Sequence, residues 1–271
     1  MIVDTHIHLY DPHRPEGAPW PDPDDTVIYL TTLPDRCIER AKPVGVEGAV
    51  VVECSEWVED NQWVLDLADD EPFILGLVGN LDIHDERFGD HIDRFSKHPV
   101  FRGIRARMWK PDDFDGLRKL SDLDLSLDLS LNELTLSIAK ELPDLRIIIN
   151  HCAGIKMDGD DPEPDAVDLV RRAAEHPNMF CKLSGMMDLR CTIRPAPTEI
   201  DHYARYLDIL WDAFSEDRMI FGSDWPVSDR SDRSYADVLK LAQDYVSTKP
   251  ASAEAKVFSE NARRAYKWQD R

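Results

Sequence analysis

Glycine is scarce in this chain, with 12 in 271 residues, and nowhere do they form GxGxxG or GxxxxGK[ST]. Dinucleotide folds and phosphate-cradling loops need such spacings, because glycine lets the backbone approach a pyrophosphate closely. Cysteine is scarce as well. The five (Cys37, Cys54, Cys152, Cys181 and Cys191) are scattered, odd in number and without a CxxC pair. That usage fits reduced thiols in a cytoplasmic protein and offers no thiolate zinc site. Neither GxSxG nor HExxH occurs, so the local signatures of a serine-hydrolase elbow and of a zinc-protease helix are missing. No apolar run approaches the roughly 20 residues that a membrane helix needs. The start, MIVDTHIHLYD, has no basic segment and no long apolar stretch, so no secretory signal is read there.

Basic charge is the last shortage. Lys and Arg number 32 against 53 Asp and Glu, a net charge of -21. Such a chain repels phosphate backbones and anionic lipid surfaces, which excludes nucleic acid and membrane as partners. What is present suits a folded enzyme-sized unit. Hydrophobic residues make up 42%, ample for a buried core at this length. One domain over 1–271 is expected, and self-association is left open.

Eight β-like runs alternate with amphipathic stretches. The runs are Ile2–His8, Val46–Glu53, Ile74–Asp82, Phe101–Arg107, Leu125–Ser130, Leu145–His151, Met179–Gly185 and Arg218–Asp224. Between them, and after the last, apolar residues recur at three- and four-residue steps, as one buried helix face requires. Eight such alternations predict an α/β fold, a single (β/α)8 TIM barrel, with a doubly wound open sheet as the alternative. The unusual connection is the long first loop, Tyr10–Thr31, rich in Pro and Asp and carrying Trp20. A barrel places it at the C-terminal mouth, where active sites sit. The chain is predicted to close with a C-terminal helix.

Three strand ends carry chemistry. Residues two apart on a strand face the same way, so Asp4, His6 and His8 are expected on one face. Two imidazoles projecting together suit a cation or a carbonyl oxygen, although HxH alone is equally a pair of backbone-bonded histidines. Asp224, in GSDWP, stands where the last strand meets the mouth and can ligate a metal or take a proton from water. The alternative there is an Asx cap on the following loop. His151 ends RIIIN, where a buried histidine must be bonded to something. In a closed barrel the first and last strands are neighbours, so His6, His8 and Asp224 converge, with His151 on the same mouth.

These pieces resemble the amidohydrolase superfamily and, within it, the lactonase-type group. The resemblance rests on DTHIHLYD, FRGIRAR, INHCAG, FCKLSG, RMIFGSDWPV and the tail FSENARRAYKW, and it runs the full length. It implies a (β/α)8 barrel that hydrolyses esters, amides or lactones, here a sugar lactone or a related carboxylated lactone such as a pyrone dicarboxylate. It implies His6 and His8 as the first-strand pair, His151 as the group that polarises the substrate carbonyl, and Asp224 as general base. The bridging lysine of dinuclear relatives has no counterpart here, which leaves one divalent metal, zinc or manganese, or none. His6, His8, Asp224 and Glu53 are the candidate ligands. Glu53 stands where many relatives carry an amide, and it could instead cap its loop or pair with an arginine.

Candidate substrate contacts are Arg105 and Arg107, whose forked donors match a carboxylate, together with Lys182, Ser184 and Trp225. Arg190 and Arg194, in the loop after the seventh run, could also reach a substrate, and Trp57 and Trp109, with Trp225, could add aromatic wall. Two other activities fit the same residues: a metal-dependent decarboxylase of the same superfamily, and a sugar-acid-binding barrel without catalysis.

Overall fold

The computed structural model describes residues 1–106 and 114–269. Eight parallel strands form one sheet in sequential order: β1 (Ile2–Ile7), β2 (Val46–Val52), β3 (Ile74–Gly79), β4 (Phe101–Arg105), β5 (Ser126–Leu129), β6 (Arg146–Ile149), β7 (Met179–Leu183) and β8 (Met219–Phe221). Beyond β8 the chain rejoins β1 through a bridge between Ile7 and Trp225. The amides of His8 and Asp224 donate across this seam to the carbonyls of Trp225 and His6, each at 2.9 Å. The sheet is thereby a nearly closed (β/α)8 barrel. Every strand ends one to three residues before its predicted limit.

The helices are α1 (Pro34–Ala41), α2 (Glu59–Asp70), α3 (Phe88–Phe95), α4 (Phe114–Asp122), α5 (Glu133–Glu141), α6 (Pro164–Ala174), α7 (Ile200–Arg218) and α8 (Tyr235–Ser247). Local signals start several of them. Proline opens α1 and α6, where its missing N–H costs nothing. Ser234 and Asp237 form a reciprocal capping box on α8. The C-terminal helix runs as α9 (Ser252–Ala255), a π-helical turn and α10 (Asn261–Tyr266).

Side chains on the inner face of the barrel form a floor. Val3, Val50, Val78, Ile148, Phe180 and Ile220 meet there, packed from below by α10 through Ala262, Ala265 and Tyr266. The other face of each strand packs on the helices in a separate, larger apolar cluster.

The first strand departs from simple alternation. Val3 joins the floor, so strict alternation would send Thr5 inward and His6 out. A register shift between Asp4 and Ile7 intervenes. It turns His6 inward, while Asp4 stays on the helix side and accepts from the Tyr235 hydroxyl of α8 at 2.8 Å. The expectation that Asp4 shares a face with His6 and His8 is thus corrected. A bulge adds one residue and reverses the parity beyond it.

Candidate active site

The sequence brings four groups to one rim, and the structure assembles them around Asp224. Its carboxylate is 1% exposed. Oδ1 lies 3.4 Å from His6 Nε2 and 3.3 Å from His8 Nε2, and Oδ2 lies 3.8 Å from His151 Nδ1. Neither oxygen makes a well-formed hydrogen bond with these imidazoles, and the Asp188 carboxyl stands beside them. Asp224 adopts φ 62, and His151 begins a run of three residues with φ near 50 (His151, Cys152 and Ala153). Such left-handed backbone is uncommon for non-glycine residues and collects at functional sites.

Backbone and neighbours hold these groups in place. Asp4 Oδ1 accepts the amides of His6 at 3.0 Å and Ser223 at 2.8 Å, tying the two sides of the seam together. Gly222 lets β8 pass close to β1, since a Cβ there would stand 2.8 Å from the His6 Cβ. Gly185 plays the same part beside His151: it has φ +65, and a Cβ would sit 3.1 Å from the His151 Nδ1. Ser184 Oγ accepts the His151 amide at 3.2 Å and meets its Nδ1 at 3.1 Å.

Burial dominates the electrostatics. It pushes the Asp224 carboxyl up to about 7, against the pull of Asp188, Arg105 and Lys182. It lowers His8 to about 4, helped by the Arg105 charge. His6 and His151 also fall well below the usual imidazole value, again mainly through burial. All three rings are therefore neutral near pH 7. Asp188, from the loop after β7, is a further buried acid. Burial and the neighbouring Asp224 carboxylate hold its carboxyl protonated well above the ordinary range. Nothing in the sequence singled out Asp188, because its loop has no periodicity and no motif.

The tautomer of His8 follows from one contact. Its Nδ1 lies 2.8 Å from the Val52 carbonyl, which can only accept. Nδ1 therefore carries the proton, and Nε2 turns a lone pair on Asp224 Oδ1. Two acceptors at that distance call for a proton or a cation between them. His6, His151 and Asp224 also present ligand atoms within 4.8 Å of one another. The donor chemistry fits one divalent cation held by His6, His151 and Asp224, with His8 Nε2 turned on the same Asp224 oxygen beside them. Glu53 lies outside this group and lines a small neighbouring cavity under the first loop with Trp57.

Above these groups is a cavity of about 460 Å³, within the range that holds small molecules. Arg105, Arg230, Ser130 and Asn132 supply polar lining; Trp20 and Leu189 supply apolar wall. The first loop covers one side. Trp20 packs edge-on to His8, 5.6 Å between ring centroids, and Asp25 pairs with Arg230 at 2.9 Å. Arg230 was not read as a site residue from the sequence, since only this loop contact shows where it points.

A profile of the amidohydrolase family matches residues 3–268. The chain belongs to the amidohydrolase family. It is 30% identical over 239 residues to the L-fucono-1,5-lactonase of Burkholderia ambifaria, covering 83% of this chain and 80% of that protein. The L-fucono-1,5-lactonase of Burkholderia multivorans is 24% identical over 277 residues, 94% of this chain and 91% of the relative. Among solved structures, an amidohydrolase from Burkholderia multivorans with bound zinc superposes with a TM-score of 0.86 at 22% identity, over 99% of this chain and 100% of the other.

Several predicted contacts of this amidohydrolase lie elsewhere. Lys182 and Ser184 are fully buried and do not line the cavity. Lys182 sits beneath the histidines, bonded to Asp128 of β5 and to His6. Trp225 faces α1, with the Arg36 and Arg40 guanidinium groups over its ring at 5.6 and 5.7 Å. It does not line the cavity, whereas Trp20 does. Arg194 caps carbonyls of its own loop, those of Met187, Asp188 and Cys191 among them. Arg102, on the same strand as Arg105, points away from the mouth and reaches the Lys267 carbonyl near the C-terminus. Arg107 and Trp109 lie outside the described residues. Among the described residues no helix is long and apolar enough to cross a membrane.

Proposed function

We propose that this amidohydrolase opens a lactone ring, with a sugar lactone or a related carboxylated lactone as substrate. The observation that carries the reading is Asp224. It is a buried carboxylate beside the protonated Asp188 carboxyl, ringed by three neutral imidazoles at the floor of a cavity. The names of the curated relatives, two of them L-fucono-1,5-lactonases, point the same way. So does the fold shared with a probable 2-pyrone-4,6-dicarboxylic acid hydrolase from Acinetobacter baumannii, with a TM-score of 0.75.

Water sits between Asp224 and the lactone carbonyl carbon. Asp224 removes its proton as the new C–O bond forms. The carbonyl oxygen gains charge, which His151 and the Arg105 guanidinium stabilise. The tetrahedral centre then expels the ring oxygen, which receives the proton held by Asp224, and an open hydroxy acid leaves. A divalent cation held by His6, His151 and Asp224, with His8 beside them, would polarise the carbonyl and favour ionised Asp224. Five buried cysteines that form no disulfide fit the cytoplasm as the working compartment.

A pH-indicator panel of aldonolactones and carboxylated lactones, run with and without added zinc or manganese, tests this reading. Acid release with a hydroxy-acid product supports it. Carbon dioxide released from a carboxylated aromatic, with every lactone untouched, overturns it in favour of a decarboxylase. Tight binding of a sugar acid without turnover overturns it in favour of a binding protein.

A further inference from the structure

Trp20 borders two cavities at once. One is the site cavity of about 460 Å³ above Asp224. The other, of about 20 Å³, lies under the first loop, enclosed by Leu9, Tyr10, Val51, Val64 and Leu77 on its far side. A space that small has room for little more than one water molecule. Cys54 lines both cavities as well. The Trp20 indole is therefore a partition, with the substrate space before it and a small, mostly apolar space behind.

The partition is held from both sides. At the base of the first loop the Tyr10 amide donates to the Thr32 carbonyl at 3.0 Å, and the Thr32 amide donates back at 2.8 Å. Ahead of Trp20, Arg14 is ion-paired with Asp60 of α2. Its guanidinium lies over the Trp63 ring, 4.8 Å from the centroid, and its Nε donates to the Gly17 carbonyl at 2.6 Å. The pair is only 11% and 18% exposed, so salt screens it weakly. Beyond Trp20, one Asp25 oxygen accepts from Arg230 and the other accepts the amides of Val27 and Ile28. Between these two pins the indole rests edge-on against His8 and Tyr10, at 5.6 and 5.2 Å between centroids.

The cavity has two unlike sides. β5 stands across an eight-stranded barrel from β1. Its end supplies Ser130 and Asn132, with Arg105 beside them from β4. The side next to β1 is made by Trp20, Cys54 and Val227, and the Arg230 guanidinium there is taken up by Asp25. We propose that Trp20 is the specificity-determining residue of this site. It meets the apolar tail of a lactone whose hydroxyl groups lie towards Ser130, Asn132 and Arg105, and it admits a short tail while refusing a long one. Arg14 and Asp60 are positioning residues that set where the indole stands. This deepens the lactonase reading and rests on it.

Hydroxylated δ-lactones bearing a methyl or a butyl tail test the proposal. Wild type should prefer the methyl lactone by about a hundredfold or more in kcat/KM, since each methylene that a pocket accepts or refuses is worth about tenfold or more. Trp20→Ala joins the two cavities. The butyl lactone should gain about tenfold and the methyl lactone lose about tenfold, which cancels or inverts the preference. Arg14→Met keeps an apolar stem against Trp63 and adds no room to the cavity, yet it should narrow the preference about tenfold, mainly through KM for the butyl lactone. A purely structural loss would lower both substrates alike. Equal losses or an unaltered preference in Trp20→Ala overturn the proposal, and so does a wild type that opens both lactones equally well. An unaltered preference in folded Arg14→Met overturns the part given to the pin. Should Trp20→Ala fail to fold, Trp20→Leu and the wild-type ratio decide. Calorimetry with hydroxylated tetrahydropyrans bearing the same tails, which have no carbonyl to attack, separates the two readings. Butyl binding about tenfold tighter in Trp20→Ala than in wild type upholds the partition, and no gain overturns it. A lactone panel without turnover sinks the lactonase reading and leaves that binding result to judge Trp20.

Discussion

His8 Nε2 and Asp224 Oδ1 face each other at 3.3 Å, and the only proton on neutral His8 is held by the Val52 carbonyl. An ionised Asp224 therefore confronts a lone pair. The contact is relieved when Asp224 binds a proton or when a cation enters. Both the acid–base behaviour and the metal response of the site follow from this one pair.

Replacing Asp224 by Asn removes the base and its charge. Turnover of the lactone should fall about 10³-fold, in the range for loss of a general base. Stability should move the other way. The folded carboxyl is raised to about 7 by burial, so the wild type loses stability as pH rises from the unfolded value through 7. At pH 8 the Asn variant should be more stable by on the order of 1–3 kcal/mol, read by urea denaturation. Full activity in a folded Asp224→Asn variant would falsify the assignment of the base.

The same carboxyl predicts the pH dependence. In metal-free protein kcat/KM should rise with pH around a midpoint near 7 as Asp224 ionises. The histidines, neutral throughout that range, add no limb of their own. Arg105→Met takes away a cation that opposes the effect of burial, so the midpoint should move up. A saturating divalent cation should move it down. A profile flat from pH 5 to pH 9 would contradict this account.

Cation binding should draw on His8 as well. His8→Ala should weaken zinc by at least about tenfold, measured by chelator competition. Glu53→Gln should leave zinc affinity nearly unchanged, since Glu53 lines the neighbouring cavity whereas His8 Nε2 faces Asp224. Equal losses in the two variants would place the cation elsewhere.

Gly222→Ala forces a methyl group to 2.8 Å from the His6 Cβ. Overpacking of this kind costs about 1–3 kcal/mol, and here the strain displaces a site residue. Activity should drop by more than stability alone explains, as shown by comparing turnover with the denaturation midpoint. A stable variant with normal turnover would show that the seam between β1 and β8 yields easily.

Alternating runs and helix periodicity determined the eight strands, their sequential order and the barrel. Short-range patterns survive translation into structure because each strand contributes side chains at a two-residue step. HIH, INH and GSDWP stood at strand ends, so the meeting of His6, His8, His151 and Asp224 was legible before any coordinates. Tertiary structure decided the rest. A bulge in β1 reversed the side taken by Asp4, and no pattern in IVDTHI announces where one extra residue enters the ladder. In sequence Lys182 reads as a substrate contact near the end of one strand run, and Asp128 as one residue within another. Only closure of the barrel sets them against each other below His6. Trp225 turned outwards and Trp20 inwards, because a loop's path depends on contacts such as Asp25 with Arg230, which join residues 205 apart. Composition and spacing report what one segment favours by itself. The protonation of a histidine depends on which atoms of other segments touch it, and that is fixed only in the folded chain.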